Sequence, residues 1–272
     1  SMTGEYEIKK QILDIGRRIY NRGMVAANDG NISVKLNDNE FLCTPTGISK
    51  GFMTMDMICK VDAEGKVISA NGPYRPSSEI KMHMRVYKLR PDVKSVVHAH
   101  PQYATAFAIA GIPLTQPIMP EAVITLGCVP IAPYGTPSTM EIPDAIEPYL
   151  EHFDALLLEN HGALSFGDSL TNAYYKMESL EFYASLLYKA NQLGGPKELS
   201  DAQVQRLYEI RKKLGMTGKH PANLCQNLAN GCHAGHSCGG SCSGSCKTEA
   251  APASNEDMVA EITKRILAEL NK

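Results

Sequence analysis

The sequence predicts a mixed α/β protein with a separate C-terminal appendage. Apolar residues recur at helical spacing near the N-terminus and again through the second half of the chain. Between them lie short alternating or apolar runs, punctuated by Asn, Asp, Gly and Pro, as strands and turns are. After residue 230 the composition changes abruptly to Gly, Ser, Cys and Ala, from which no core can form. The 272 residues suffice for one large domain and such an appendage.

Ile8, Ile12, Ile15 and Ile19 mark one face of a first helix, closed by Gly23. Asn28-Asp29-Gly30-Asn31 follows, a turn able to aim backbone N–H groups at an anion but equally an ordinary turn before a strand. Residues 32–36 alternate as a strand, Asn37-Asp38-Asn39 turns, and residues 40–44 return. Thr44-Pro45-Thr46-Gly47 is a second polar turn, and residues 57–61 and 66–70 read as a hairpin around Glu64-Gly65. The first quarter is therefore a helix followed by an antiparallel meander. Pro76-Ser77-Ser78-Glu79 opens the next helix, with Ser77 as N-cap, Met82, Val86 and Leu89 as its apolar face, and a stop at Arg90-Pro91. A helix start carries free N–H groups and partial positive charge, so two serines there suit a phosphate, although capping alone would need only one.

Ser95-Val96-Val97-His98-Ala99-His100-Pro101 reads as a buried strand stopped by proline. Strand alternation puts His98 and His100 on one face and Val97 and Ala99 on the other. Two imidazoles side by side suit a divalent metal such as zinc; hydrogen bonding at a strand end is the plainer alternative. Residues 103–110 look helical and end at Gly111; residues 113–120 are irregular, residues 129–132 form a short strand, and Ser138-Thr139-Met140-Glu141 has capping-box spacing. Residues 155–158 form an apolar strand, and Glu159-Asn160-His161-Gly162 turns sharply, placing His161 at a strand end. A long helix spans residues 170–193, and Ser200-Asp201-Ala202-Gln203 caps a last body helix that reaches Leu214-Gly215.

A formal net charge of -2 argues against nucleic acid as the main partner. No apolar run can cross a bilayer, the N-terminus has no signal-peptide pattern, and the opening Ser-Met reads as a cloning remnant. Cys43, Cys59 and Cys128 are scattered, while Cys225, Cys232, Cys238, Cys242 and Cys246 crowd together late, which fits a bacterial-type cytosolic enzyme better than a disulfide scaffold. Residues 231–254, with His233 and His236 among the cysteines, lack zinc-finger spacing and read as a flexible thiol-bearing linker. Residues 255–272 return to helical periodicity, with Met258, Val259, Ile262, Ile266 and Leu270 on one face. A helix this short needs a partner, and its mixed-sign polar face disfavours a membrane.

Glu79, His98, His100 and His161 could converge, and three imidazoles with one carboxylate make a tetrahedral zinc set. If Glu79 can leave, it becomes a base beside a metal that polarises a carbonyl. Five pieces now stand in order: Gly30-Asn31, Thr44-Pro45-Thr46-Gly47, Pro76-Ser77-Ser78-Glu79, Val97-His98-Ala99-His100 and Asn160-His161-Gly162. On these pieces the first 215 or so residues resemble the class II aldolase/adducin family, most of all its fuculose-phosphate branch. The resemblance implies an α/β/α three-layer fold with a mainly antiparallel central sheet over residues 1–230. It implies zinc held by Glu79, His98, His100 and His161, with Glu79 as catalytic acid/base. It places phosphate contacts at Gly30, Asn31, Thr46, Gly47, Ser77 and Ser78, and it implies a homotetramer with sites between subunits.

The implied reaction is retro-aldol cleavage of L-fuculose 1-phosphate, or L-rhamnulose 1-phosphate, to dihydroxyacetone phosphate and L-lactaldehyde. L-ribulose-5-phosphate 4-epimerase is an alternative, although Pro101 stands where that enzyme would be expected to carry a polar residue. Methylthioribulose-phosphate dehydratase is more distant, and a non-catalytic adducin-like scaffold is disfavoured by the retained histidines and Glu79. A tyrosine that the resemblance leads one to expect near Met119, to protonate the aldehyde, is missing, and Glu121 is the local candidate. The linker and terminal helix resemble the encapsulation peptides of bacterial microcompartments. That implies a cytoplasmic enzyme in a compartment lumen, with residues 255–272 contacting a shell protein or co-cargo.

Overall fold

A computed structural model describes residues 2–229 of the chain. The linker and terminal helix expected at 231–254 and 255–272 lie outside the described residues. The chain opens with α1 (Met2–Asn21), followed by strands β1 (Asn31–Asn37), β2 (Glu40–Cys43), β3 (Cys59–Val61) and β4 (Val67–Ser69). Next come α2 (Ile80–Leu89), β5 (Ser95–Ala99), α3 (Gln102–Ala110), α4 (Pro120–Thr125), β6 (Ile131–Ala132) and α5 (Glu141–Ile146). The chain continues through β7 (Ala155–Leu158), β8 (Gly162–Gly167), α6 (Leu170–Gln192), α7 (Asp201–Lys213) and α8 (Leu224–Ala229). The strands form one sheet in the order β4-β3-β2-β1-β5-β8-β7-β6. Among the described residues only β6 and β7 pair in parallel; the other neighbours are antiparallel.

Strand alternation divides the apolar residues between two cores. Ile32, Val97, Ala99, Leu157 and Ala163 face α1, α3 and α6, whose Ile12, Phe107 and Met177 complete one core. Phe41, Val96, Leu156, Leu164 and Phe166 face the other way, toward Met82, Val86 and Tyr87 of α2 and Ile142 and Ile146 of α5. The result is the α/β/α three-layer architecture with a mainly antiparallel sheet. Each fully buried large side chain contributes about 1.5–3 kcal/mol, so the two cores fix the sheet between its helical layers. A buried ion cluster pins one end. Asp154, which begins the approach to β7, accepts from Arg90 Nη2 at 2.7 Å and Lys176 Nζ at 2.8 Å.

Four local expectations are corrected. The α2 face is not Met82, Val86 and Leu89: Leu89 is exposed, and the buried set includes His83 and Tyr87. Ser77 does not cap α2, which starts at Ile80; its Oγ accepts instead from the Glu79 amide at 3.3 Å. Ser138 does not open a capping box. It sits at φ 67°, and α5 begins at Glu141 with no side-chain cap. The late cysteines are not all apart from the body, because Cys225 on α8 is disulfide-bonded to Cys128. The capping box at Ser200 and Gln203 is present as expected. Among the described residues no helix is long and apolar enough to cross a membrane.

Candidate active site

The three polar turns meet at one end of the sheet. Thr44 exchanges two bonds with Ile32, its backbone N–H donating to the Ile32 carbonyl and its Oγ1 accepting from the Ile32 N–H, both at 3.0 Å. This ties the turn after β2 to the start of β1. Pro45 bridges Pro76, and the Thr46 N–H donates to the Arg75 carbonyl at 2.8 Å, so residues 44–47 and 76–79 lie side by side. Thr46, Gly47 and Ser78 are exposed, and Ser77 is partly buried. Asn31 lies directly opposite His98 across the β1–β5 pairing. Gly30 is there for two physical reasons. Its φ of +84° favours glycine, and a Cβ would stand 2.8 Å from Val25 Cγ1 and 3.1 Å from the His98 carbonyl. Lys50 joins two of the turns from beneath: its Nζ donates to the carbonyls of Ile48 at 2.9 Å and Asn28 at 3.4 Å. Burial pushes its pKa down to about 8, and the nearby Asp29 carboxylate pulls the other way.

His98, His100 and His161 form the one group of convergent metal-ligand side chains among the described residues, with ligand atoms within 4.8 Å of one another. His98 comes from the end of β5, His100 from the residue just beyond it, and His161 from the turn between β7 and β8. Asn160, at φ 57°, makes that turn. Gly162 lets β8 approach, since a Cβ there would sit 2.5 Å from the Ala99 carbonyl oxygen and 2.6 Å from the His100 ring.

Hydrogen bonds set the tautomers. His98 Nδ1 lies 2.9 Å from the Ala163 carbonyl, an acceptor only, so Nδ1 carries the proton and Nε2 a lone pair. His100 Nδ1 donates likewise to Asp29 Oδ2 at 3.3 Å. The two Nε2 atoms then face each other at 3.3 Å, both as acceptors. Burial first, then His161 and His100, hold the His98 pKa well below the usual imidazole range, so a proton is not the favoured bridge. His161 is similarly pushed down to about 4, chiefly by burial and then by His100. Its Nδ1 is buried with no hydrogen-bond partner among the described residues. Facing lone pairs and an orphaned nitrogen are what a divalent cation resolves, so the residues present fit a metal ion.

The expected fourth member stands apart. Glu79 is not in the convergent group; its Oε1 accepts from the Ser138 backbone N–H at 2.8 Å, and Ser78 Oγ lies 2.5 Å from Ser138 Oγ. The left-handed turn at Ser138 thus holds the carboxylate that sequence reasoning assigned to the metal. Glu121 lies exposed in the first turn of α4, outside the histidine group. Asp29, the partner of His100, and Lys50 were not foreseen. The turn composition around Asp29 was the available signal, whereas a lone loop lysine gives none.

Residues 10–188 match the family model of the class II aldolase and adducin N-terminal domain. The chain belongs to this family. With the histidine group in place it is a class II, metal-dependent aldolase-type enzyme, a carbon–carbon lyase. The chain is similar to an L-fuculose phosphate aldolase of Methanococcus maripaludis, 33% identical over 183 residues that cover 67% of this chain and 97% of that protein. It is also similar to a 3-oxo-tetronate 4-phosphate decarboxylase of Pectobacterium atrosepticum, 31% identical over 192 residues, covering 69% and 87%. A solved L-fuculose 1-phosphate aldolase superimposes with a TM-score of 0.69 at 29% identity, over 76% of this chain and 96% of that one.

Proposed function

We propose that this class II aldolase cleaves L-fuculose 1-phosphate, or the related L-rhamnulose 1-phosphate, to dihydroxyacetone phosphate and L-lactaldehyde, with zinc as its metal. The observation that carries the reading is the pair of His98 and His100 Nε2 lone pairs facing each other at 3.3 Å beside the Asn31 turn. A divalent metal held by His98, His100 and His161 supplies a Lewis acid for the negative charge that develops on the substrate oxygens. The chain's own residues do the rest. Gly30, Asn31, Thr46, Gly47, Ser77 and Ser78 border one rim and hold the phosphate, fixing the reacting bond near the histidines. In cleavage the C4 hydroxyl releases its proton to solvent, the C3–C4 electron pair moves to C3, and C4 departs as the aldehyde. Glu79 then delivers a proton to C3, completing dihydroxyacetone phosphate; in the reverse direction it removes that proton. A homotetramer, expected from the resemblance, would complete sites between subunits.

Decarboxylation of 3-oxo-tetronate 4-phosphate is a second reading, favoured by the relatives of that name. It breaks the bond to the same carbon and leaves the same three-carbon phosphate, with carbon dioxide in place of the aldehyde. No acid for an aldehyde oxygen is then needed, which suits a chain without the tyrosine. A coupled assay for dihydroxyacetone phosphate discriminates the two when run on L-fuculose 1-phosphate, L-rhamnulose 1-phosphate, L-ribulose 5-phosphate and 3-oxo-tetronate 4-phosphate. Release with L-lactaldehyde from a deoxyketose phosphate supports the first reading, and release only from the oxo acid replaces it with the second.

Residues 231–254 would tether, and residues 255–272 would bind, a microcompartment shell protein or co-cargo; the apolar stripe from Met258 to Leu270 supports this.

A further inference from the structure

We propose that Tyr87, Ser33 and His83 form a positioning relay that fixes the Asn31 side-chain amide with its Nδ2 protons turned toward the substrate phosphate. The inference rests on the phosphate-turn reading above. Its basis is a fully buried chain of hydrogen bonds between α2 and β1. Tyr87 OH lies 2.7 Å from Ser33 Oγ, Ser33 Oγ 2.6 Å from His83 Nδ1, and His83 Nε2 2.5 Å from Asn31 Oδ1. Helical i, i+4 spacing brings His83 and Tyr87 onto one face, and strand i, i+2 spacing does the same for Asn31 and Ser33.

Proton counting gives the relay a direction. Burial pushes His83 down to about 3, so the ring is neutral near pH 7 and has one N–H to give. The buried Tyr87 phenol is hydrogen-bonded to Ser33 Oγ, so the phenol proton has Ser33 Oγ as its acceptor. Ser33, having accepted, donates its own proton to His83 Nδ1. The His83 proton must then sit on Nε2 and point at Asn31, which can accept only through Oδ1. Among the described residues the Asn31 side chain bonds only to His83, so both Nδ2 protons remain for a ligand. Asn31 lies opposite His98 in the β1–β5 pairing, which puts the two side chains on the same face of the sheet. A flipped amide would turn a carbonyl oxygen on a phosphate and two protons on His83. Leaving the buried relay half-satisfied is costly, and so one amide orientation is selected.

The test uses the full-length, zinc-loaded protein and inorganic phosphate as the probe, read by calorimetry, with zinc content and circular dichroism as controls. Tyr87→Phe and Ser33→Ala remove the directing groups while sparing Asn31. They are expected to weaken phosphate binding roughly tenfold, the worth of one oriented donor to a charged group. The same variants should raise KM for a phosphorylated ketose more than they lower kcat. His83→Leu should match or exceed that loss, and His83→Gln, which can still donate to Oδ1, should recover part of it. Nitrogen NMR of the wild type should show His83 protonated on Nε2. Folded, zinc-loaded Tyr87→Phe and Ser33→Ala proteins that bind phosphate like the wild type, or a His83 protonated on Nδ1, overturn the relay alone. A wild type that binds no phosphate overturns the phosphate-turn reading, and the relay with it.

Discussion

Replacing Asp29 with alanine removes the carboxylate that holds His100 Nδ1 at 3.3 Å. Without that acceptor the ring is free to rotate and to change tautomer, and part of the time it withdraws its Nε2 lone pair from the metal. Carboxylates in this outer position are worth about 10–100-fold in metal affinity. The Asp29 side chain is 42% exposed and the bond is long, so solvent and salt screen its charge. The low end therefore applies: a loss of about tenfold, near 1.4 kcal/mol. Asp29→Asn keeps an acceptor without the charge, and roughly a threefold loss is expected. The His98 counterpart is the Ala163 backbone carbonyl, which no side-chain substitution removes, so one anchor of the site survives in both variants. Zinc affinity is measured by competition with a chelating dye at neutral pH, with circular dichroism confirming the fold. Zinc affinity in Asp29→Ala within about twofold of wild type, or a loss as complete as that of His100→Ala, would refute the reasoning.

Three further outcomes are expected. Glu79→Gln should lower cleavage by roughly two to four orders of magnitude while zinc stays bound, because Glu79 stands outside the histidine group; near-normal turnover would end its role as acid/base. Folding stability of the metal-free chain should fall as pH drops below 6.5. An unfolded His83 takes up a proton there that the buried ring, at about 3, cannot, and stability is regained as pH rises back. For that one histidine the loss is about 1.4 kcal/mol per pH unit, reaching about 5 kcal/mol near pH 3; denaturant melts across this range check it, and a flat profile contradicts it. Deleting residues 255–272 should leave turnover intact and abolish co-assembly with shells, while fusing the segment to a fluorescent protein should confer it; lost turnover on deletion, or a diffuse fusion in cells with assembled shells, argues the other way.

The parts of this protein that follow from local periodicity were legible. The isoleucine spacing of α1, the alternation that puts His98 and His100 on one face, and the capped start of α7 all depend on near neighbours in the chain. What was hidden depends on distant partners. Asp29 meets His100 from 71 residues away, and a turn rich in Asn, Asp and Gly does not show which side chain will reach outward. Lys50 looks like any solvated loop lysine until two carbonyls close around it. His83 and Tyr87 interrupt an otherwise apolar pattern, and the Ser33 hydroxyl and Asn31 amide across the layer explain why they are buried. Ser138 misled because the residues that make a capping box also make left-handed turns. The Cys128–Cys225 pairing spans 97 residues, and cysteine spacing does not reveal connectivity.

The central claim is that His98, His100 and His161 hold the metal on which carbon–carbon cleavage depends. Its most direct test is a zinc titration of chelator-stripped full-length protein, followed by release of dihydroxyacetone phosphate from L-fuculose 1-phosphate. Activity should be absent after stripping and should rise linearly to a break at about one zinc per chain, the stoichiometry of a single catalytic site. Turnover that survives stripping, or that zinc does not restore to a correctly folded chain, would contradict the claim.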